Sequence, residues 1–379
     1  MNHDVQSLSP ATTEEVSAAV KAAITHGYRL ATNRTADLPD NFRRLNLGAM
    51  QATVDYPARD MTITVQAGMP VGTLQDILKQ ENQQLPIDCC DPSISVGALV
   101  ASDVAGSRQY GYGTARDYLI GIEAVDGTGR VFHAGGRVVK NVAGYDLCRL
   151  LIGSRGSLAV LTQLTFKLKP IPEQTEVRAF GFRSAKSFEA ALTALNTTKA
   201  APVMLDFRCA ASNSADTTTT ESGLPWSLFI GVDGSAESCH WQFSQLRKDC
   251  AEAEEVVSAE TSRVSIEEHA ARCGSGWQLG DVIVRTVPSE LAAIAGELAA
   301  EGCSSSGHAG NGILCVSCDK PEAEQQSLEL RTICERVVAG RAASVTQWGS
   351  DHPAHSTALH SVRLRDTFDP HHVFALTNR

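Results

Sequence analysis

The residues with the most specific spacing in this sequence are glycines and small polar residues, which fall in three stretches between positions 92 and 172. The first stretch, Pro92-Ser-Ile-Ser-Val-Gly-Ala-Leu-Val-Ala101, predicts a short helix with small residues at its start. Backbone N–H groups at a helix N-terminus bind phosphate oxygens, and small residues let the backbone approach them closely. The stretch therefore predicts a diphosphate contact, and Gly97→Val is expected to remove the ligand without unfolding the chain. The predicted contact residues are Ser95, Val96, Gly97, Ala98 and Ser102.

The second and third stretches continue with glycine-rich loops. Residues 102–117 read SDVAGSRQYGYGTARD, in which the predicted contacts are Gly106, Gly111, Gly113 and Asp117. Residues 135–172 open on a glycine pair and predict a helix over 143–152, a glycine turn at 153–156 and a strand over 158–168. Taken alone, these elements indicate only a globular domain of helices and strands.

In this order the three stretches resemble the FAD-binding segments of vanillyl-alcohol oxidase-type (PCMH-type) flavoproteins. The first is similar to the pattern P-x-x-T-[IV]-G-G-x-x-A, with Ser95 in place of Thr and Ala98 in place of the second Gly. The second is similar to G-x-x-R…YG…RD, and the run KNVAGYDLCRLLIGSRGSLAVLT is the most specific match. Within this superfamily the sequence most resembles the FAD-binding subunits of bacterial glycolate oxidases. The resemblance implies a bound FAD and further contacts from Lys140, Asn141, Gly144, Gly156 and Val160.

One loop departs from the family pattern. After the predicted strand 28–32 the family carries a glycine-rich loop of the G-G-G-[TS] kind, whereas residues 32–37 here read TNRTAD. Side chains there would crowd a diphosphate and Asp37 would repel it, although Arg34 could bind a phosphate oxygen. The sequence therefore leaves open whether the loop still permits FAD binding. Neither this loop nor the glycine-rich loop 102–117 contains a histidine, so a noncovalent flavin is expected.

Lys140 has two interpretations. Its positive charge could lie near the flavin pyrimidine ring and stabilise the reduced anion, which is one way in which proteins tune this cofactor. The alternative is a surface lysine on a loop.

The segment GHAGNGILC, residues 307–315, carries the one candidate catalytic residue, His308. It resembles the H-x-G-D-G-N-x-H segment of catalytic flavin 2-hydroxyacid dehydrogenases, whose paired histidines serve a metal and substrate site. Here Cys315 replaces the second histidine, and a lone histidine is a poor metal site. The segment therefore predicts no metal, and the alternative interpretation of His308 is a vestigial turn before a strand. Cys315 and Cys318 point to opposite faces of that strand and are expected to be buried thiols.

The composition excludes several classes of protein. The 43 acidic and 33 basic residues give a formal net charge of −10, which disfavours nucleic acid and anionic membranes as partners. No apolar run is long enough to span a membrane, and the first residues lack the features of a signal peptide. Eleven cysteines in such a chain favour reduced thiols. We expect a soluble cytoplasmic protein, with membrane association only through partner subunits.

The predicted elements divide the chain into three regions. Residues 1–172 are the expected PCMH-type FAD-binding domain with two α/β subdomains. Residues 173–344 repeat a strand–helix–strand rhythm, which favours a smaller α+β domain with helices on one face of an antiparallel sheet. Residues 345–379 are expected to form a tail that returns to the first domain.

The resemblance implies a role as the FAD-binding subunit of a glycolate oxidase complex, in which electrons pass from a small 2-hydroxy acid to an iron–sulfur subunit. The sequence contains no cluster motif, so a separate iron–sulfur subunit and a catalytic flavoprotein subunit are the implied partners. Two alternatives remain open. The chain could be a self-sufficient FAD-dependent hydroxy-acid dehydrogenase, or a structural subunit that has lost FAD.

Overall fold

The computed structural model describes residues 7–32, 38–89, 91–136, 145–212, 224–251, 254–255, 282–318, 323–347 and 358–374. Contacts divide the chain into two units of similar size. Unit 1 comprises Met1–Ala105, Thr114–Ile171 and Asp351–Arg379, and unit 2 comprises Gly106–Gly113 and Pro172–Ser350.

Local sequence signals determine the helix ends. The Thr12 hydroxyl accepts a hydrogen bond from the Glu15 N–H at the start of α1, and Gly27 ends this helix with φ +74°. The helices are α1 Thr13–His26, α2 Val71–Lys79, α3 Val96–Ser102, α4 Gln109–Tyr112, α5 Ala115–Tyr118, α6 Leu147–Leu151, α7 Ala185–Leu195, α8 Ala236–Asp249, α9 Leu291–Ala300, α10 Ala323–Val338 and α11 Ala358–Phe368. None of the helices in the described ranges is long and apolar enough to cross a membrane.

The strands of the described residues form four sheets. They are β1 Ser7–Leu8, β2 Arg29–Ala31, β3 Phe42–Leu45, β4 Thr53–Asp55, β5 Thr62–Gln66, β6 Gln83–Gln84, β7 Leu119–Asp126, β8 Val131–Gly135, β9 Ala159–Lys167, β10 Lys169–Pro170, β11 Gln174–Phe182, β12 Met204–Cys209, β13 Trp226–Gly234, β14 Glu254–Glu255, β15 Val282–Thr286, β16 Cys303–His308, β17 Ile313–Cys318 and β18 Ala343–Gln347.

Unit 1 contains two main sheets and one short strand pair. The first sheet is parallel with the order β1-β3-β2, and the second is antiparallel with the order β4-β5-β9-β7-β8. Strands β6 and β10 form the short antiparallel pair. One core cluster joins α1 to strands of both main sheets and to the end of the described chain. Its buried members include Val16, Val20, Leu30, Leu45, Val125, Val160 and Phe374.

The carboxyl-terminal segment packs within unit 1 around a buried carboxylate. Asp369 accepts hydrogen bonds from the Val373 N–H at 2.7 Å and from the Phe374 N–H at 2.9 Å. The Leu30 N–H donates to the Val373 carbonyl at 2.8 Å, so the segment continues the parallel sheet beside β2. The Asp369 carboxylate thus closes the turn that leads into Val373.

Unit 2 is an eight-stranded antiparallel sheet with the order β14-β11-β13-β12-β16-β17-β15-β18. Alternate residues of its strands and the apolar faces of α7, α8, α9 and α10 form one large core, because side chains alternate between the two faces of a strand. Among the fully buried residues are Phe182, Phe188, Phe207, Phe243 and Ile230. This arrangement confirms the predicted antiparallel sheet with helices on one face.

Two expected boundaries differ from the units of the structure. The segment 106–113 lies in unit 2 rather than in the first domain, and the boundary predicted at 345 falls within β18. Strand β16 was not predicted, because its sequence Cys-Ser-Ser-Ser-Gly-His has no β-branched or aromatic residue and its extended form depends on pairing with β12 and β17.

Candidate functional site

The N-terminus of α3 is occupied by hydrogen bonds within unit 1. The N–H of Val96 donates to the Met69 carbonyl, and the N–H of Gly97 donates to the Ala67 carbonyl, both at 2.8 Å. The third N–H, from Ala98, donates to the Ser95 hydroxyl at 3.2 Å. Because each of these donors already has an acceptor, the first turn of α3 does not offer the free N–H groups that a diphosphate would need.

Gly97 is required by packing. A Cβ atom at this position would lie 2.8 Å from the Ala67 carbonyl oxygen and 2.9 Å from the Ala67 Cβ. The small residue therefore permits close approach of α3 to Ala67 at the end of β5.

This geometry changes the expected result of Gly97→Val. The variant should lose about 1–3 kcal/mol of unfolding free energy, because the added side chain overpacks the contact with Ala67. Urea denaturation followed by circular dichroism measures the loss. Ala98→Val is the matched control, since Ala98 is exposed in the same helical turn and its substitution costs only helix propensity. A Gly97→Val protein of normal stability that lacks flavin would restore the original interpretation.

The C-terminal half of α3 contacts the turn 153–156, and this turn lies against Thr32 at the end of β2. In the turn 153–156, the Gly153 N–H donates to the Val100 carbonyl at 3.0 Å and the Arg155 N–H to the Ala101 carbonyl at 2.7 Å. Gly156 has φ +72°, and a Cβ there would lie 2.7 Å from the Thr32 Oγ1. Thr32 follows β2 and directly precedes residues 33–37, the glycine-free loop, which lies outside the described residues. The structure thus brings this turn, the end of β2 and α3 together.

Other predicted contact residues of unit 1 have structural roles. Ser102 donates its hydroxyl to the Ala98 carbonyl at 2.5 Å. Asp117 completes a capping box at α5, since its carboxylate accepts from the Thr114 N–H at 2.9 Å. Val160 is 2% exposed and its side chain belongs to the core. Lys140, Asn141 and Gly144 lie outside the described residues.

The three glycines of the second stretch belong to unit 2. Gly106 is buried, and Gly113 ends α4 with φ +90°. The Gly111 N–H donates to the Val203 carbonyl at 3.1 Å, and a Cβ at Gly111 would lie 2.6 Å from the Val203 Cα. The absence of a side chain at Gly111 is therefore explained by contact with the residue that precedes β12.

His308 forms a buried polar network with two residues that the sequence did not indicate. Its Nδ1 lies 2.7 Å from Asp206 Oδ1, and the Ser107 hydroxyl donates to Asp206 Oδ2 at 2.5 Å. As whole residues, Ser107, Asp206 and His308 are 2%, 1% and 3% exposed. Asp206 and His308 are opposite one another in the β12–β16 register, which accounts for their contact. An aspartate within the apolar run Met-Leu-Asp-Phe was the available signal, because a buried carboxylate needs a partner.

A second carboxylate holds the other end of the segment 106–113. Asp233 accepts hydrogen bonds from the Tyr112 hydroxyl at 2.7 Å and from the Thr175 hydroxyl at 2.6 Å. Arg108 Nη1 lies 3.9 Å from Asp233 Oδ2, with both side chains largely buried. Two aspartates of the unit 2 sheet therefore fix both ends of a segment whose sequence resembles a cofactor loop.

Glu123 of β7 forms a polar cluster in unit 1 that the sequence also did not indicate. Its carboxylate accepts hydrogen bonds from Thr13, from Thr162 at 3.0 Å and from Gln163 at 2.9 Å, and His133 Nε2 lies 2.8 Å away. Burial raises the pKa of Glu123, but the hydrogen bonds from Thr13, His133 and Thr162 outweigh it and leave the pKa lowered. This carboxylate is therefore ionised at neutral pH and acts as a hydrogen-bond acceptor.

Cys148, Cys209, Cys239 and Cys250 are buried thiols. Burial raises the pKa of Cys209 and of Cys250 to about 12, so these two thiols are unreactive at neutral pH. Cys315 is only partly buried, contrary to expectation. The side chain of Cys318 is not among those that the structure describes. Within the described ranges, no group of three or more histidine, cysteine, aspartate or glutamate residues is arranged to hold a metal ion.

Comparisons with known proteins identify the domain that contains α3 and β7. Residues 7–135 match the family model of an FAD binding domain. The solved structure of an alkyldihydroxyacetonephosphate synthase superposes with a TM-score of 0.71, covers 97% of this chain and 75% of that chain, and is 14% identical. The chain therefore has the predicted PCMH-type FAD-binding fold, and FAD is its cofactor.

Sequence relatives cover the chain to different extents. Glycolate oxidase subunit GlcE of Escherichia coli (strain K12) is 36% identical over 139 residues, 35% of this chain and 39% of that protein. D-2-hydroxyglutarate dehydrogenase of Xanthomonas citri pv. viticola is 31% identical over 176 residues, 44% of this chain and 37% of that protein. Glycolate oxidase subunit GlcD of Bacillus subtilis (strain 168) is 28% identical over 317 residues, 76% of this chain and 67% of that protein. The chain thus matches less than half the length of the first two relatives.

Proposed function

We propose that this FAD-binding chain is the FAD-binding subunit of a glycolate oxidase complex. In that complex a small 2-hydroxy acid is oxidised and electrons pass to an iron–sulfur subunit. The proposal is supported by the similarity to two proteins named as glycolate oxidase subunits and to a hydroxy-acid dehydrogenase. The bound FAD would supply the two-electron acceptor for this chemistry.

FAD is proposed to bind unit 1 at the junction described above. Thr32, the turn 153–156 and the C-terminal half of α3 would line the site, because they lie together and Thr32 directly precedes residues 33–37 in sequence, which correspond to the diphosphate loop of the resembled family. This assignment moves the expected contact from the N-terminus of α3, whose N–H groups have protein acceptors, to its opposite end. The glycine turn supplies backbone that can approach a ligand closely.

The proposal that catalysis belongs to a different subunit rests on the burial of His308. Oxidation of a 2-hydroxy acid needs a base for the hydroxyl proton and cationic groups for the carboxylate. His308 is 3% exposed and its Nδ1 contacts Asp206, so it is held inside the sheet of unit 2. Cys315 stands where the resembled catalytic enzymes have their second histidine. We therefore assign proton abstraction to a catalytic flavoprotein partner rather than to this chain.

A self-sufficient FAD-dependent hydroxy-acid dehydrogenase is the second candidate. The observation that favours it is the extent of the similarity to GlcD of Bacillus subtilis, which covers 76% of this chain and includes part of unit 2. The two candidates differ in whether the isolated chain turns over substrate.

Two measurements test the proposal. The purified chain should show a flavin absorption spectrum, and acid precipitation should release all of the colour because the flavin is held noncovalently. The isolated chain should give no glycolate-dependent dye reduction, whereas the chain assembled with a catalytic flavoprotein and an iron–sulfur subunit should give it. Robust activity of the isolated chain that His308→Ala abolishes would instead establish the self-sufficient dehydrogenase. A colourless chain that added FAD does not reconstitute contradicts both.

A further inference from the structure

Unit 1 contains a cavity of 570 Å³ outside the proposed FAD site. It lies where α1 ends, β2 begins and the carboxyl-terminal segment passes. Its described lining includes two arginines and two histidines and contains no aspartate or glutamate. The lining residues are Ala23, Ile24, Gly27, Tyr28, Arg29, Asn41, Arg365, His371, His372 and Val373.

Two guanidinium groups converge at this cavity. Arg29 donates from Nε to the His372 carbonyl at 3.1 Å and from Nη2 to the Phe374 carbonyl at 3.0 Å. Arg365 donates from Nη2 to the same Phe374 carbonyl at 3.1 Å. Because both groups hydrogen-bond to one oxygen atom, two positive charges are held close together in a partly buried position, where they repel each other.

The hydrogen bonds within the protein do not satisfy this pair completely. Arg365 Nε is buried and has no hydrogen-bond partner among the residues that the structure describes. Burial lowers the pKa of Arg365, Asp369 opposes this effect, Arg29 lowers the pKa further and Asp366 raises it. The Asp369 carboxylate is directed at the N–H groups of Val373 and Phe374. Asp366 is exposed and lies 3.9 Å from His372 Nε2.

We propose that this cavity binds the phosphate group of a small phosphorylated molecule. Guanidinium groups bind phosphate through parallel charge-assisted hydrogen bonds, and His371, His372, Tyr28 and Asn41 offer further donors. A dianion would offset the repulsion between the two arginines and give the unsatisfied Nε an acceptor. The volume exceeds that of a phosphate group, and Ala23, Ile24 and Val373 supply apolar wall for the rest of the ligand.

The test is isothermal titration of the flavin-loaded protein with inorganic phosphate at constant ionic strength, with succinate as a carboxylate probe. We expect saturable phosphate binding and weaker succinate binding. Arg365→Gln should weaken phosphate binding about tenfold, since one charge-assisted hydrogen-bond donor is lost. Arg363→Gln is the matched control, because Arg363 is exposed on the same helix and does not line the cavity, and it should leave binding unchanged.

A second variant covers the case in which Arg365→Gln does not fold. The double substitution of His371 and His372 by Ala removes two exposed side chains that line the cavity and should weaken phosphate binding, because their hydrogen-bond donors are lost. Absence of saturable phosphate binding overturns the proposal. So does an equal loss in Arg363→Gln, which indicates nonspecific attraction by charge. Tighter binding of succinate than of phosphate overturns the assignment to phosphate.

Discussion

Asp206→Ala is expected to cost unit 2 about 3–5 kcal/mol of unfolding free energy, the largest loss among the substitutions considered for this protein. The Asp206 carboxylate is 1% exposed and accepts from Ser107 while it contacts His308. Its removal would leave a buried imidazole and a buried hydroxyl without that partner, and each unsatisfied polar group costs free energy. Chemical denaturation monitored by tryptophan fluorescence, with Trp226 buried in unit 2, reports the change.

Two controls test whether the loss of stability comes from the Ser107–Asp206–His308 network or from any substitution at position 206. Asp206→Asn preserves the side-chain shape and one acceptor oxygen, so it should cost clearly less than Asp206→Ala. A double-mutant cycle of Asp206→Ala with Ser107→Ala should give a coupling energy of about 1 kcal/mol or more, because the two residues share a hydrogen bond. A loss for Asp206→Ala of under about 1 kcal/mol, or no coupling to Ser107, would show that the network contributes little.

The same substitution should free the segment 106–113. Ser107 fixes one end of this segment to Asp206, while Tyr112 fixes the other end to Asp233. Hydrogen exchange of the backbone amides near Ser107 should therefore accelerate in Asp206→Ala, and those near Tyr112 should change less. Equal acceleration at both ends would indicate that unit 2 unfolds globally rather than that one anchor is lost.

Local signals explain which parts of the fold the sequence could predict. Helix α1 has its N-cap and its C-cap within the chain segment itself, at Thr12 and Gly27, so the local sequence is sufficient to define both of its ends. Strand β16 has no such signal, because its serines adopt extended structure only through pairing with β12 and β17. Strand β18, at the edge of the same sheet, was missed for a similar reason, since its place depends on pairing with β15.

In the candidate site, too, the sequence alone could not identify contacts between residues that are distant in sequence. Glycine spacing correctly indicated positions where a side chain does not fit, but not the group that excludes it. At Gly97 this group is the Ala67 carbonyl, and at Gly111 it is the Val203 backbone. Asp206 was not recognised because its two partners lie 99 and 102 positions away in sequence. Residue types therefore predicted the fold and the cofactor, whereas the role of each position depends on contacts that only folding creates.

Gly156→Ala is expected to weaken FAD binding by about tenfold or more, as estimated from the 1–3 kcal/mol that overpacking costs. A Cβ at Gly156 would lie 2.7 Å from the Thr32 Oγ1, so Thr32 has to move away from the turn 153–156. In the proposed site both elements line the flavin. Fluorescence titration of the apoprotein with FAD measures the dissociation constant, and the melting temperature of the apoprotein is recorded in parallel.

Gly27→Ala is the matched control for this experiment. Gly27 has φ +74°, close to the φ +72° of Gly156, but a Cβ at Gly27 would have no neighbour within 4 Å. Both variants therefore carry a similar backbone strain of about 1 kcal/mol, and only Gly156→Ala disturbs Thr32. Adding Thr32→Ala to Gly156→Ala removes the crowded oxygen and should recover FAD affinity toward that of Thr32→Ala alone. If Gly156→Ala and Gly27→Ala bind FAD equally well, the flavin does not contact the Thr32–Gly156 junction and the proposed site is wrong.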